Sequence, residues 1–343
     1  MKYITFIPAL AVVSALVVLA GSAKGGVTPR LDGSFDVSTD RIVYNYRPDG
    51  MVTLSQFGVT ADTGTRRAVF TFVSAGPFDP LDIPREHGRT VSVVGSKASM
   101  ETHDTPHAIL LYRAAEPGNI TFSLDSTMGV VSFGSWALLG DSLIKADMAV
   151  TSGRTIAKSV DSLMIRLQSL DTLAFRVQGP SGNIGELLAS GNLDAELDLR
   201  VGGSTLDSDL TAYERDASLG VESIGSSRAS FTFGGFATSS VAIIDLSLDL
   251  YAPLKDHLTL SVGGQTLSRF SDADGLLRSS GPGYAVAEGP HYVELFVRPG
   301  TSSGSIVAES LVPGLDPLMA VAALASAFVC VAAAVFLFRR KRQ

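Results

Sequence analysis

The chain has 343 residues, of which 27 are Lys or Arg, 34 are Asp or Glu and one is cysteine. Lys2 and the four bases Arg339, Arg340, Lys341 and Arg342 lie at the ends, and every acid lies between 24 and 316, so the body holds 22 bases against 34 acids, a net of −12. A surface of that sign repels nucleic acid and anionic lipid heads, and a body without cysteine excludes the disulfide-dense secreted modules.

Taken from the N-terminus, Lys2 precedes an apolar run from Ile4 to Ala20, broken by Pro8 and Ser14 and followed by Gly21, Ser22 and Ala23. This layout predicts a secretory signal peptide over 1–23, cut after Ala23 or Ser22. No cysteine follows the run, so lipoprotein processing lacks its acceptor. Left uncleaved, the run is at the short limit for a membrane span.

The region 24–180 reads as β-rich, with predicted strands at Ile42–Tyr46, Ala68–Val73, Thr90–Val94, Ala108–Arg113, Ile120–Leu124 and Gly129–Phe133. Within it, Ile156, Val160, Leu163, Met164 and Leu167 recur at helical spacing with Arg154, Lys158, Asp161, Arg166 and Gln168 mostly opposite, which predicts one amphipathic helix near 153–169. Ile165 and the β-branched residues also fit a strand there. A boundary is expected at Gly179-Pro180-Ser181-Gly182.

The region 181–298 alternates more strictly. Ala195, Leu197, Leu199 and Val201 alternate with Asp194, Glu196, Asp198 and Arg200, and Ile244, Leu246, Leu248 and Leu250 alternate with Asp245, Ser247 and Asp249. Such a period predicts strands with one buried and one wet face, placing Leu197, Leu199, Ile244, Leu246, Leu248, Leu260 and Val262 inside and Ser247 at the surface. Further strands are expected at Ser230–Phe236, His257–Val262, Tyr292–Val297 and Ser305–Leu311. With glycine breaks between them, the fold class is mainly β: an antiparallel β-sandwich-like body in one or two domains.

Residues 299–317 read as a juxtamembrane linker, and Leu318 to Phe338 form an uncharged stretch of 21 residues. At about 1.5 Å per residue this spans a hydrocarbon core of about 30 Å. Arg339, Arg340, Lys341 and Arg342 then hold the short tail 339–343 in the cytoplasm and direct the body outward. Ala322 with Ser326, and Ala323 with Ala327, give the small-residue spacing that permits helix pairing.

Four motifs bear on chemistry. Gly300-Thr301-Ser302-Ser303-Gly304 matches a serine-hydrolase pattern, but no histidine follows it, His291 being the last, so it reads as a loop. His103 and His107, with Glu101 beside them, Asp104 between them and His87 upstream, are candidate metal ligands, since imidazole and carboxylate bind zinc or copper where they converge. Pro106 keeps the two histidines off one helix face, which favours a polar surface loop. Asp272 and Asp274, in Asp272-Ala273-Asp274-Gly275, resemble part of a calcium loop, although Phe270 and Gly281 occupy positions where an EF-hand needs acids. Asn119-Ile120-Thr121 is a glycosylation sequon at an expected surface turn. No cofactor fingerprint is present.

The signal-like N-terminus, the cysteine-free acidic β-rich body, Pro313-Gly314, the single apolar stretch and the terminal Arg/Lys cluster together resemble archaeal cell-surface proteins with a C-terminal membrane anchor. The resemblance is one of architecture. It implies a single-pass location in the cell membrane, with the lipid bilayer and other surface proteins or glycans as partners. A structural, adhesive or binding role is expected. The alternatives are a membrane-tethered metal-binding protein or hydrolase using the segment from Glu101 to His107, and an accessory subunit of a membrane complex.

Overall fold

The computed structural model describes the chain from Gly26 to Ser310, apart from short stretches such as 30–34, 61–65, 79–84, 104–106 and 152–155. The expected signal peptide, and the expected membrane helix and tail with Leu318, Phe338, Arg339, Arg340, Lys341 and Arg342, lie outside the described residues. Among the described residues no helix is long and apolar enough to cross a membrane.

Four large sheets stack as two β-sandwiches. The first layer runs, in spatial order, Gly26–Pro29, Phe35–Ser38, Val43–Tyr46, Val52–Ser55, Phe70–Gly76, Gly118–Leu124, Ser162–Leu167 and Ala157–Lys158. The second runs Gly129–Ser132, Trp136–Gly140, Lys145–Val150, Thr172–Val177, Ile109–Ala114, Ala98–His103, Thr90–Val94 and Arg85–His87. The third runs Thr205–Ala212, Leu193–Gly202, Val241–Ser247, Tyr292–Arg298, Gly283–Glu288 and Ser268–Arg269, and the fourth Ser218–Ile224, Arg228–Gly234, Ser303–Ser310, Leu258–Val262 and Gln265–Thr266. Pairing is antiparallel except in the third layer, where Leu193–Gly202 runs parallel to Val241–Ser247 and Ser268–Arg269 parallel to Gly283–Glu288. That layer is therefore mixed, within a body that is mainly antiparallel as expected.

Side-chain alternation sorts each strand of the inner two layers between two interiors. Leu110 and Tyr112 pack toward the first layer, whereas Ile109 and Leu111 pack toward the third. In Val241–Ser247, Ala242, Ile244 and Leu246 face the fourth layer, while Val241 and Ile243 face the second. A third apolar cluster thus joins the sandwiches, completed by Leu188 of helix α1 (Gly185–Ser190) and by Ala273 and Leu276 of helix α3 (Ala273–Arg278).

The predicted helix near 153–169 is absent from the part that is described. Ser162–Leu167 is a strand paired with Gly118–Leu124, burying Leu163, Ile165 and Leu167 and exposing Met164 and Arg166. Leu163 and Leu167 suit either period, but burial of Ile165 between them belongs to period 2 alone. Leu248 is the second correction: the strand stops at Ser247 and Leu248 opens helix α2 (Leu248–Lys255), 41% exposed, while Tyr251 and Leu254 carry the buried face. Ser247, expected at the surface, has its hydroxyl enclosed. The linker expected over 299–317 is shortened, because Ser303–Ser310 is an interior strand of the fourth layer.

Candidate functional site

The polar faces of the third layer carry the chemistry. Register sets Asp245 opposite Glu294 across one antiparallel pair and opposite Asp198 across the parallel one, with Glu196 two residues from Asp198 on the same face. Read alone, this is a row of like charges, which destabilises a sheet. The second layer covers it and supplies the counter-charge through Arg176, whose alternation points it away from the Phe175 core, and through His107 just before Ile109.

Arg176 is fully buried. Its Nε donates to Glu196 Oε2 at 2.7 Å and its Nη2 donates to Glu196 Oε1 at 3.1 Å and Glu294 Oε1 at 2.7 Å. Tyr213 donates to Glu196 Oε2 at 2.8 Å and the Ser181 N–H to Glu294 Oε2 at 2.9 Å. Burial resists the charge on both glutamates, but Arg176 outweighs it and holds their carboxyls below the ordinary range. Asp245 has no such partner, and burial with the nearby Glu196 charge pushes it well up.

His107 sits in the middle. Its Nε2 lies 3.2 Å from Glu294 Oε1, 3.6 Å from Asp245 Oδ2 and 3.8 Å from Glu196 Oε1. None of these contacts has hydrogen-bond geometry, and His107 Nε2 and both Asp245 oxygens are buried without a hydrogen-bond partner, yet against burial and Arg176 the charges of Asp245 and Glu294 hold the His107 pKa up at about 9. The other ring nitrogen, Nδ1, faces the Tyr292 hydroxyl at 3.5 Å. Gly179 closes the cluster so tightly that a Cβ there would lie 2.0 Å from Glu294 Oε1. His107, Asp245 and Glu294 are the one group among the described residues whose donor atoms converge closely enough to hold a metal ion.

His103 belongs to a different cluster at the same inter-sandwich seam. Its Nε2 is 2.6 Å from Glu101 Oε1, and its Nδ1 is 2.9 Å from Thr90 Oγ1 and 3.3 Å from Asp209 Oδ2. Thr90 donates to Asp209 at 2.6 Å, Arg113 donates to the Ala212 carbonyl, and Arg215 to the Ala114 carbonyl at 3.3 Å. Burial opposes a charged His103, but Asp209 and Glu101 hold its pKa up at about 9. A partly open cleft lies beside it, lined by Thr90, Ser92, Glu101, Ser208, Asp209 and Leu197 among others.

The sequence-derived metal set of Glu101, His103 and His107 is therefore divided. Glu101 and His103 share one cluster and His107 joins another, and both histidines are buried rather than in a surface loop. His87 ends a strand next to Thr90, and its side chain, like Asp104, lies outside the described residues. Asp272 is the N-cap of α3, accepting from the Gly275 N–H at 2.7 Å, and Asp274 pairs with Arg278 at 3.6 Å on the exposed helix surface. Helix capping accounts for this acid pair. Asn119 is exposed on the strand Gly118–Leu124, not in a turn. Ser302 accepts from Phe236 N–H through its carbonyl and leads into a strand, so the elbow a serine nucleophile needs is not formed.

Sequence reasoning missed Arg176, Glu196, Asp245 and Glu294 as a site. The signal was present in two places: Asp245 and Glu294 are single acids inside apolar runs, Val241–Leu246 and Val293–Val297. No protein-family model matches this chain, and no curated protein is similar to it in sequence.

Proposed function

We propose that this chain is a membrane-anchored protein of the cell exterior whose two-sandwich body has a structural, adhesive or binding role. The observation that carries this reading is the inward placement of the body's most perturbed ionisable groups. Arg176, His107, Glu196, Asp245 and Glu294 are sealed between layers, where they clasp one sandwich to the other. The apolar stretch Leu318–Phe338 and the bases after it support the anchor, and the acidic body supports a location away from lipid heads.

In this reading the bilayer is one partner and surface proteins or glycans are the others. The cleft beside His103 is where a ligand bearing hydroxyl or amine groups meets Glu101, Asp209, Ser92 and Ser208. The test is topological. Protease added to intact cells is expected to degrade the body while a tag after Gln343 survives, and crosslinking in the same cells is expected to attach surface proteins or glycans to it. A body protected from protease would overturn the proposal.

A further inference from the structure

We propose that His107 Nε2, with carboxylate oxygens of Asp245 and Glu294, forms a buried binding site for one divalent first-row metal ion, zinc in the first place, that rivets the two sandwiches together. The inference is independent of where the chain is anchored.

Three observations carry it. The first is spacing. A tetrahedral zinc site with bonds of about 2.0–2.1 Å has ligand-to-ligand edges of roughly 3.3–3.4 Å, and His107 Nε2 stands 3.2 Å from Glu294 Oε1 and 3.6 Å from Asp245 Oδ2. The second is satisfaction. His107 Nε2 and both oxygens of Asp245 are enclosed with no hydrogen-bond partner, an arrangement that is costly when only protein surrounds it and that a coordinated cation resolves in a single step. The third is charge. With the imidazole and Asp245 both deprotonated, as ligands must be, three carboxylates face the single positive charge of Arg176, and a divalent ion completes the balance.

The surroundings fit a metal's outer shell. Tyr292 stands at His107 Nδ1, where its hydroxyl can accept from an Nδ1–H and leave Nε2 free, while Arg176 and Tyr213 orient Glu196, and Arg176 and the Ser181 N–H orient Glu294. Arg176 takes Glu294 Oε1 as well, so that oxygen is shared between guanidinium and ion. The donor set excludes calcium, which takes six to eight oxygens at about 2.3–2.6 Å, and disfavours magnesium, which takes oxygen ligands and keeps several waters. Nitrogen with carboxylate oxygen in a small closed cage suits zinc.

The experiment uses the full-length chain purified in detergent without chelator. Elemental analysis is expected to find one zinc per chain, and absorption at the zinc edge a shell of nitrogen and oxygen neighbours with one imidazole. Asp245→Asn is expected to abolish the zinc while His103→Gln keeps it. The wild type, stripped by unfolding in chelator and refolded, is expected to gain several degrees of melting temperature when zinc chloride is present during refolding. Wild type that carries only trace metal and melts at the same temperature with and without zinc would overturn the proposal. So would zinc lost in His103→Gln but kept in Asp245→Asn. Should Asp245→Asn fail to fold, the wild-type stoichiometry and melting shift decide the matter alone.

Discussion

The interior of the first sandwich and the seam between the two sandwiches are both sheet-on-sheet contacts, yet they are built from opposite materials. Between the first and second layers, Phe70 packs at 4.6 Å from Phe122 and 4.8 Å from Phe175, with Phe57 at 5.4 Å from Phe175, and the buried cluster around them holds the Tyr112 hydroxyl but no charged group. Between the second and third layers, small apolar groups such as Ala149, Ala174 and Ala285 surround Arg176, His107 and three carboxylates. Apolar packing is non-directional and tolerates sliding. A buried guanidinium with fixed donors does not, so the seam trades some stability for one defined docking of the two bodies.

The sharpest break of this comparison is a charge in the apolar space. Leu246→Asp removes a side chain worth about 1.5–3 kcal/mol and buries an unpaired carboxylate, and thermal unfolding of the variant is expected to lose its cooperative transition. Leu248→Asp, two residues on but exposed on α2, is expected to stay within about 0.5 kcal/mol of wild type. Equal damage from both would return Leu248 to the core.

Next in size is the seam. Arg176→Met is expected to lower stability by about 3–5 kcal/mol by leaving Glu196 and Glu294 without their counter-charge. Phe122→Ala is expected to lose about as much, through a cavity. pH separates them. Acid protonates the stranded carboxylates, so denaturant unfolding of Arg176→Met should recover part of the loss as pH falls towards about 5, while Phe122→Ala should not recover.

The smallest effect is at the seam's edge. The pKa of His103 is raised in the fold from 6.5 to about 9. Its stabilisation is therefore fully present below 6.5 and lost as pH rises through about 9. At about 1.4 kcal/mol per pH unit it amounts to roughly 3 kcal/mol at most. The groups facing it are Glu101 on its own strand, with Arg113 beyond, and Thr90 and Asp209 from two neighbouring strands. Melting curves of wild type and His103→Gln are expected to converge at alkaline pH, and a constant gap between them would show that His103 stays neutral in the fold.

The outermost apolar faces were legible in the sequence, and the partner of the polar faces was not. Leu197, Leu199, Ile244, Leu246, Leu260 and Val262 are buried as their period predicts. Asp194, Glu196 and Asp245 obey the same period and are equally buried, because a polar face looks alike in one sequence whether water or another sheet covers it. What distinguishes the inner layers is the apolar residue on both sides, as in Ile109-Leu110-Leu111-Tyr112, where alternation fails for lack of a wet face. His103 and His107 stand four apart in sequence, but each meets an acid, Asp209 and Asp245 respectively, from a strand more than a hundred residues away, a separation no local pattern encodes.

The last described strand has a mechanical consequence. Ser303–Ser310 lies between Arg228–Gly234 and Leu258–Val262, antiparallel to both, and it is the strand nearest the apolar stretch that begins at Leu318. Under the anchoring proposed above, tension between a tethered body and the membrane enters along the axis of an interior strand. It must shear two hydrogen-bonded ladders together, where an edge strand would peel one bond at a time. The grip on the membrane is thus set by the fourth layer, and the body is expected to resist a pull from its C-terminal side more strongly than one applied at its N-terminal edge strand, Gly26–Pro29.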